Sequence, residues 1–279
     1  MVKHTKFSYT PAIILAKAVI EVFYNEESVY GFSFDEFWSE FRDEIIPKLL
    51  KPNKETVLHL YIKYTNSYID DDLIDLLKNI DYKDYEKHLN YLESMIRSAG
   101  ITLKFKLPDF DEIEKCGHCR ECESCNHFSN FIEELGRELI NIEPTIINTT
   151  FHLLMLNKSF LKDFHESIAL YMEDDIDYIK ENYLSYIRIN NRLKRVSWPA
   201  WLKRGIFYRD NGVCVVCRSD LTGVVNIGDS FELDHIVPLS SFGNNDSSNL
   251  QILCKSCNIN KSDKVIQTSV IEVPLWDYH

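Results

Sequence analysis

The sequence has no long apolar run and few residues of the kinds that dominate fibrous or disordered chains. No stretch of 18 apolar residues occurs in its 279 residues, so a membrane span is not expected. Nine glycines and eight prolines are too few for collagen-like or low-complexity classes. The apolar stretch 12–23 is interrupted by Lys17 and Glu21, which indicates an amphipathic helix and no secretion signal. We therefore expect a cytoplasmic globular protein.

Positive charge is also scarce, because 43 Asp and Glu outnumber 31 Lys and Arg and give a net charge of −12. The excess lies in residues 1–187, which carry a net charge of −14. Residues 188–264 instead hold 11 basic and seven acidic side chains. Since phosphate backbones attract basic surfaces, only this second part is expected to bind nucleic acid. The acidic part is expected to sense a signal, form a homo-oligomer or bind a partner protein.

Helical patterns dominate the first part. Thr10 and Pro11 predict a helix start, and Ser33 with Glu36 forms a capping-box pattern. Helix breaks are predicted at Pro47 and Pro144, and alternation of apolar and polar residues predicts a short strand at 101–107. The predicted helices cover residues 10–24, 33–47, 54–64, 71–79, 82–98, 128–141, 144–157, 160–172 and 174–190.

Four of the eight cysteines form two CxxC pairs, with 36 residues between the pairs. Paired spacing of this kind is typical of a zinc site. Four thiolates complete a tetrahedral shell and leave no open position, so a structural zinc is predicted. Free thiols or disulfides are the alternative, which the lack of a secretion signal disfavours. The predicted ligands are Cys214, Cys217, Cys254 and Cys257.

The other four cysteines, Cys116, Cys119, Cys122 and Cys125, follow one another at three-residue steps. This spacing predicts a second metal knuckle within residues 116–127, with zinc favoured. An iron–sulfur run would have a longer last gap followed by proline. The tetrapeptide CGHC also matches disulfide isomerases, but no βαβ pattern surrounds it. Free thiols on a helix face are the remaining alternative.

Oxygen and nitrogen donors lie between and beside the CxxC pairs. Asp234 and Asn258 offer oxygen atoms, which suit a hard cation such as Mg²⁺. His235 follows Asp234 directly, and a neutral imidazole is a suitable general base near pH 7. Such a metal would stabilise charge that develops on phosphate oxygens. The pattern therefore predicts a metal-dependent nuclease site held in place by a structural zinc.

These segments resemble the HNH (β-β-α metal) endonuclease family, in the subset with a four-cysteine zinc. The resemblance covers residues 198–264 and includes LDHIVPLS and NLQILCKSCN-x-x-K. It implies that His235 is the general base, that Asp234 is a metal ligand and that Asn249 braces the loop and the base. The last motif position is usually His, but here it is Asn258, as in the HNH domain of the RNA-guided CRISPR effector nuclease. That difference favours Mg²⁺ or Mn²⁺.

We therefore expect a mainly α domain at 1–187 with an inserted Cys-rich metal knuckle, followed by a small α+β HNH domain at 188–279. The expected activity is hydrolysis of phosphodiester bonds in DNA, or alternatively RNA. The resemblance implies a role in bacterial antiphage or restriction-type defence, or in a mobile element. A non-catalytic zinc ribbon that binds nucleic acid or protein is the competing interpretation. The side chains expected to contact nucleic acid are Arg192, Lys194, Arg195, Lys203, Arg204 and Lys261.

Overall fold

The computed structural model describes residues 9–25, 33–67, 82–115, 119, 121–223 and 231–266. Helices dominate these ranges, and none of those described is long and apolar enough to cross a membrane. The helices are α1 (Tyr9–Tyr24), α2 (Phe34–Leu50), α3 (described over 57–67), α4 (Tyr82–Ser98), α5 (Phe110–Lys115), α6 (Glu123–Leu156), α7 (Lys158–Asp174), α8 (Ile176–Tyr183), α9 (Ala200–Arg209) and α10 (Lys255–Lys261).

Two short strands precede α10. Strand β1 (Phe231–His235) pairs antiparallel with β2 (Leu250–Cys254), so that Phe231 lies opposite Cys254 and His235 opposite Leu250. Helix α10 follows β2 without a linker. The order β1, β2, α10 confirms the predicted mainly helical chain with a small β-β-α region near its C-terminal end.

The chain divides into two compact units. One consists of Met1–Val19 with Ile62–Phe151, and the other of Ile20–Tyr61 with His152–His279. Helices α2, α7 and α8 therefore belong to the same compact unit as the β-β-α region. The functional boundary expected between residues 187 and 188 stays a prediction.

The first unit has a helical core. Leu89, Leu92 and Ile96 are buried at helical spacing on α4, and Phe131 and Leu135 are buried on α6.

The strand predicted at 101–107 is wrong, because these residues form no regular element. The carboxylate of Glu134 accepts hydrogen bonds from the backbone amides of Lys104 and Phe105, both at 2.9 Å. The Glu134 side chain therefore occupies the backbone N–H groups that would otherwise bond to a neighbouring strand.

Both predicted proline breaks are also wrong, because α2 continues through Pro47 and α6 through Pro144. An internal proline costs a helix about 3 kcal/mol. In α2 the side chains of Ile45, Ile46 and Leu49 are almost completely buried around Pro47. Each such burial contributes about 1.5–3 kcal/mol, so packing outweighs the missing hydrogen bond.

The remaining helix predictions differ at their ends. Helix α8 ends at Tyr183 rather than at residue 190, because a 3₁₀ turn, Leu184–Tyr186, replaces its last part. The predicted helix at 71–79 lies outside the described residues.

The second unit has an aromatic core. Ring centroids of Phe34, Phe37 and Tyr61 lie 5.0–5.6 Å apart, and Phe160 and Phe164 stack at 5.7 Å. Phe164 lies 5.6 Å from both Phe34 and Tyr61, so this cluster fixes α2 against α7. The C-terminal end of α2 is thereby held in a defined position close to the β-β-α region.

Candidate active site

The four cysteines of the two CxxC pairs form a zinc-binding group. Their sulfur atoms all lie within 4.8 Å of one another. The Cys217 and Cys254 sulfurs are 3.7 Å apart, close to the edge of about 3.8 Å expected of a tetrahedron with Zn–S bonds of about 2.3 Å. Cys254 ends β2, and its sulfur accepts the Cys257 backbone amide at the start of α10. A zinc ion on this group would join the two CxxC segments at the base of the β-β-α region.

Ionisation of these thiols differs from one cysteine to another. The hydroxyl of Ser219 lies 2.9 Å from the Cys217 sulfur and lowers the pKa of Cys217 to about 6. Burial raises the pKa of Cys254 and of Cys257. Zinc ligation ionises such thiols, so metal uptake here releases protons and is favoured at higher pH.

His235, the predicted base, ends β1 and is 5% exposed. Its Nε2 lies 3.2 Å from Asn245 Oδ1, and the Trp198 ring packs edge-on at 5.3 Å. Burial is the main cause that lowers the pKa of His235 to about 4, and the positive charge of Arg195 acts in the same direction. The imidazole is therefore neutral at pH 7, as a general base must be.

A cavity of about 480 Å³ brings His235, Asp234 and Asn258 together. The ammonium of Lys261 lies 2.8 Å from Asp234 Oδ2 and donates to the His235 carbonyl at 2.9 Å. Gln251 donates to the same Asp234 oxygen at 3.4 Å. The carboxylate and amide oxygens fit a hard divalent cation, because oxygen donors with space for water are what Mg²⁺ prefers.

Asn249, the predicted brace, is completely buried between the strands. Its Oδ1 accepts the Val237 amide at 2.9 Å, and its Nδ2 donates to the carbonyls of Val237 and Asn244 at 3.1 and 2.9 Å. Gly243 lies next to Asn244, and a Cβ added at Gly243 would meet the Val237 carbonyl oxygen at 1.9 Å. Only glycine fits there, so the loop after β1 closes tightly onto its own start.

Sequence reasoning singled out Asn249 but not the five residues that precede it in the loop Asn244–Asn249. All six of its residues are at most 5% exposed. They make hydrogen bonds to α2, to residues 53–57 and to α7, which are 79 or more positions away in sequence. Because the partners are mainly backbone atoms of distant segments, neither residue type nor spacing could indicate them.

His165 of α7 is a second missed residue, and it is completely buried against this loop. Its Nε2 lies 2.9 Å from Ser248 Oγ, and its Nδ1 lies 3.2 Å from Asn244 Nδ2. The Ser248 hydroxyl donates to Asp246, so it accepts from His165 Nε2–H. Asn244 Oδ1 accepts the Asp246 amide at 3.1 Å, so the Asn244 amide nitrogen donates to Nδ1. Burial lowers the pKa of His165 to about 3.

The residues expected to contact nucleic acid occupy three kinds of position. Arg192 and Arg195 line the cavity, together with Arg188. Lys194 is exposed and donates to the Ser185 carbonyl at 2.8 Å. Lys203 and Arg204 are exposed on α9. Lys261 is only 3% exposed, and its ammonium contacts Asp234 and the His235 carbonyl inside the site. Its contact with nucleic acid stays a prediction.

The second cysteine cluster lies in the other compact unit. The sulfurs of Cys119, Cys122 and Cys125 lie within 4.8 Å of one another, while Cys116 lies outside the described residues. Backbone hydrogen bonds, that of Glu121 first, lower the pKa of Cys119 to about 7. The Cys119 sulfur accepts a hydrogen bond from the Cys122 backbone amide at 3.3 Å, and the Cys122 sulfur accepts one from the Cys125 amide at 3.4 Å. Three gathered sulfurs fit a soft metal such as zinc, whose binding here stays a proposal.

Comparison with known proteins identifies one family. The model of the HNH endonuclease family matches residues 214–264, which contain the four zinc-binding cysteines, both strands and α10. No curated protein and no solved structure matches the chain. The matched segment is an HNH endonuclease domain, and the rest of the chain is not covered by it.

Proposed function

We propose that this chain, whose residues 214–264 carry an HNH endonuclease domain, is a metal-dependent nuclease that hydrolyses phosphodiester bonds in DNA. The observation that supports the proposal most is the shared cavity of His235, Asp234 and Asn258. A neutral base lies there beside two oxygen donors, which is the combination that phosphodiester hydrolysis needs.

Each group has a role in the proposed reaction. His235 takes a proton from a water molecule as that water attacks phosphorus, and the P–O bond to the leaving oxygen breaks. Arg188, Arg192 and Arg195 hold the phosphates that flank the attacked one. A divalent cation on Asp234 and Asn258, Mg²⁺ or Mn²⁺, would supply a more acidic water and stabilise charge on phosphate oxygens. Burial lowers the pKa of His235, so its imidazole is neutral near pH 7 and can accept this proton.

Lys261 links the proposed base to the proposed metal ligand. Its buried ammonium bonds both Asp234 and the His235 carbonyl, so it fixes the two residues relative to each other. The same positive charge attracts the phosphate that enters the cavity. Arg192 is fixed at the rim, because it donates to the Ser240 carbonyl at 2.7 Å and lies over the Phe242 ring at 3.3 Å.

The proposal extends to biological context. We infer a role in bacterial antiphage or restriction-type defence, or in a mobile element, by analogy with other HNH nucleases. The net charge of −14 on residues 1–187 supports a partner protein or a second copy as the ligand of this part, since it repels bare nucleic acid. Light scattering of the purified chain tests self-association.

A plasmid-nicking assay tests the activity. Supercoiled DNA should be nicked with Mg²⁺ or Mn²⁺ and left intact with EDTA. The variant His235→Ala should cut at less than about one hundredth of the wild-type rate, because loss of a general base costs about 10²–10⁴-fold. Its zinc content should be unchanged, since His235 does not touch the four-cysteine group. His152→Ala, at an exposed histidine of α6, is the matched control and should cut normally.

The proposal fails if His235→Ala nicks as fast as the control, or if EDTA has no effect on wild-type cleavage. In that case a non-catalytic zinc module would be the better description. A parallel assay with single-stranded DNA and with RNA of the same sequence distinguishes the substrate class, and faster cleavage of RNA would overturn the DNA assignment.

A further inference from the structure

The loop Asn244–Asn249 is an unusual place for six consecutive polar residues, because all of them are buried. Buried polar groups require partners, and unpaired ones cost about 1–3 kcal/mol each. Part of this requirement is met by α2, whose last carbonyls have no partner within the helix. The Leu49 carbonyl accepts the Asn245 backbone amide at 2.8 Å. The end of α2 and the loop thus satisfy each other.

The side chain of Asn245 has a defined orientation. Its Nδ2 donates to the Leu50 carbonyl at 3.1 Å and to the Lys194 carbonyl at 2.9 Å. Both amide hydrogens are therefore used by carbonyl oxygens, which can only accept. The amide oxygen consequently faces His235 Nε2, at 3.2 Å.

An amide oxygen that faces a ring nitrogen determines where the ring proton lies. Asn245 Oδ1 can only accept, so His235 Nε2 must carry the hydrogen. A neutral imidazole has one N–H, and therefore Nδ1 keeps its lone pair and is the atom that can accept a proton. The edge-on Trp198 ring packs against the same imidazole at 5.3 Å and limits its rotation.

We propose that Asn245 is a positioning residue of the nuclease: it holds His235 as the Nε2–H tautomer, with Nδ1 as the proton acceptor, and is itself oriented by the C-terminal carbonyl of α2. The inference rests on the proposed function of His235. It adds a residue outside the family's motif positions and makes α2 part of the catalytic scaffold. The Asp246 carboxylate supports the same loop by accepting the Val57 amide at 3.0 Å.

The test combines kinetics with imidazole ¹⁵N spectra of zinc-loaded protein to which no Mg²⁺ or Mn²⁺ has been added. In the wild type, the His235 signal, assigned by its loss in His235→Ala, should show protonated Nε2 and unprotonated Nδ1. Asn245→Ala should lose this fixed tautomer and lower kcat about 10- to 100-fold, because misplaced reacting groups cost rates of that order. KM should change little, since Asn245 does not line the cavity. Asn245→Asp keeps an acceptor oxygen but loses both amide donors to the Leu50 and Lys194 carbonyls, so it should not restore kcat or the fixed tautomer.

Asn244→Ala is the matched control, because Asn244 is equally buried in the same loop but contacts His165 instead of His235. It should lower stability while the His235 tautomer and most of kcat are retained. An Nδ1–H signal in the wild type would overturn the inference, as would equal loss of kcat and tautomer in both alanine variants. An inactive wild type with the Nε2–H tautomer would instead refute the proposed function while the orienting contact stands.

Discussion

His165 shows how a single buried histidine makes the loop sensitive to pH. It accepts a hydrogen bond at Nδ1 from Asn244 and donates one at Nε2 to Ser248. A second proton on the ring would place an N–H against the Asn244 amide hydrogens. Burial already favours the neutral ring, which lowers the pKa of His165 to about 3. In the unfolded chain the pKa of histidine is about 6.5.

We therefore expect His165 to destabilise the fold as the solution is acidified. Between about pH 6.5 and pH 3 the unfolded chain binds a proton here that the folded chain does not bind. The free energy of unfolding should fall by up to about 1.4 kcal/mol for each pH unit in this window, and the contribution is fully present above pH 6.5. His165→Gln should reduce that slope, measured by urea unfolding between pH 7 and pH 5 with zinc content checked.

Ser248→Ala is the control for this slope. It removes the partner of His165 Nε2–H and the hydroxyl donor to Asp246 but keeps the titrating ring, so stability should fall at every pH while the part of the slope that His165 causes is retained. A wild-type slope in His165→Gln would show that other groups cause the acid sensitivity. The buried His235, with a pKa of about 4, contributes in the same direction in all three proteins.

Single residues with a chemical signature were accessible from the sequence, whereas their orienting partners were not. Asp234, His235 and Asn258 were predicted as one site from residue type and spacing, and they line one cavity. Asn245 and His165 were not predicted, because their roles depend on the Leu50 carbonyl and on a contact between positions 165 and 248. The sequence alone does not distinguish a polar residue that is exposed to solvent from one that makes a buried hydrogen bond.

Among the elements, the two cysteine clusters make the clearest prediction. The purified chain should contain about two zinc ions, one for each cluster, since each gathers thiols at ligating distances. Cys254→Ser should lose one zinc ion and destabilise the β-β-α region, because structural zinc binding contributes folding free energy. Cys122→Ser should lose the other zinc ion, while the group of Cys214, Cys217, Cys254 and Cys257 keeps its zinc ion. Metal analysis of the purified variants measures both losses.

The two serine variants act as controls for each other. Cleavage should disappear in Cys254→Ser, because Cys254 joins β2 to α10, the helix that carries Asn258. Cleavage should persist in Cys122→Ser if the second cluster only stabilises its own compact unit. One zinc ion in the wild type, unchanged by Cys122→Ser, would mean that the second cluster binds no zinc under these conditions.

Elements were predicted well where local sequence decides and poorly where packing decides. The capping box of Ser33 and Glu36 begins α2 as predicted, with both of its hydrogen bonds present. The breaks at Pro47 and Pro144 failed because buried apolar residues on both sides outweigh the local cost of proline. The strand at 101–107 failed because the partner of its backbone is the Glu134 carboxylate, 29 and 30 positions away.

At the scale of the molecule, the β-β-α region depends on hydrogen bonds to residues of α2, α3 and α7 that lie between 83 and 195 positions earlier in the sequence, or one more for Leu49. Leu49 and Leu50 supply carbonyls to Asn245, Val57 supplies its amide to Asp246, and His165 bonds Ser248. Near the zinc group, Lys158 of α7 forms an ion pair with the buried Asp210, which accepts the Ile252 amide of β2 at 3.0 Å. A zinc ion alone would therefore not fix the active-site loop.

A fragment of residues 188–279 tests this dependence. It contains all four zinc-binding cysteines, so it should still bind about one zinc ion. It lacks α2 and α7, so the polar groups of Asn244–Asn249 lose partners that each contribute about 0.5–1.5 kcal/mol. We expect the fragment to nick supercoiled plasmid at less than about one tenth of the full-length rate and to unfold at lower urea concentration, because the base loses its orientation.

A longer fragment, residues 152–279, separates the two supports. It restores His165 and Lys158 but not the Leu49 and Leu50 carbonyls, so its stability should lie between those of the shorter fragment and the full chain. Its cleavage should remain low, because Asn245 would still lack an acceptor that orients its amide. Full activity in the longer fragment would assign the support to α7 alone. Full activity in the shorter one would mean that the loop orders itself around the zinc-bound strands, and that the helices serve a purpose other than positioning the base.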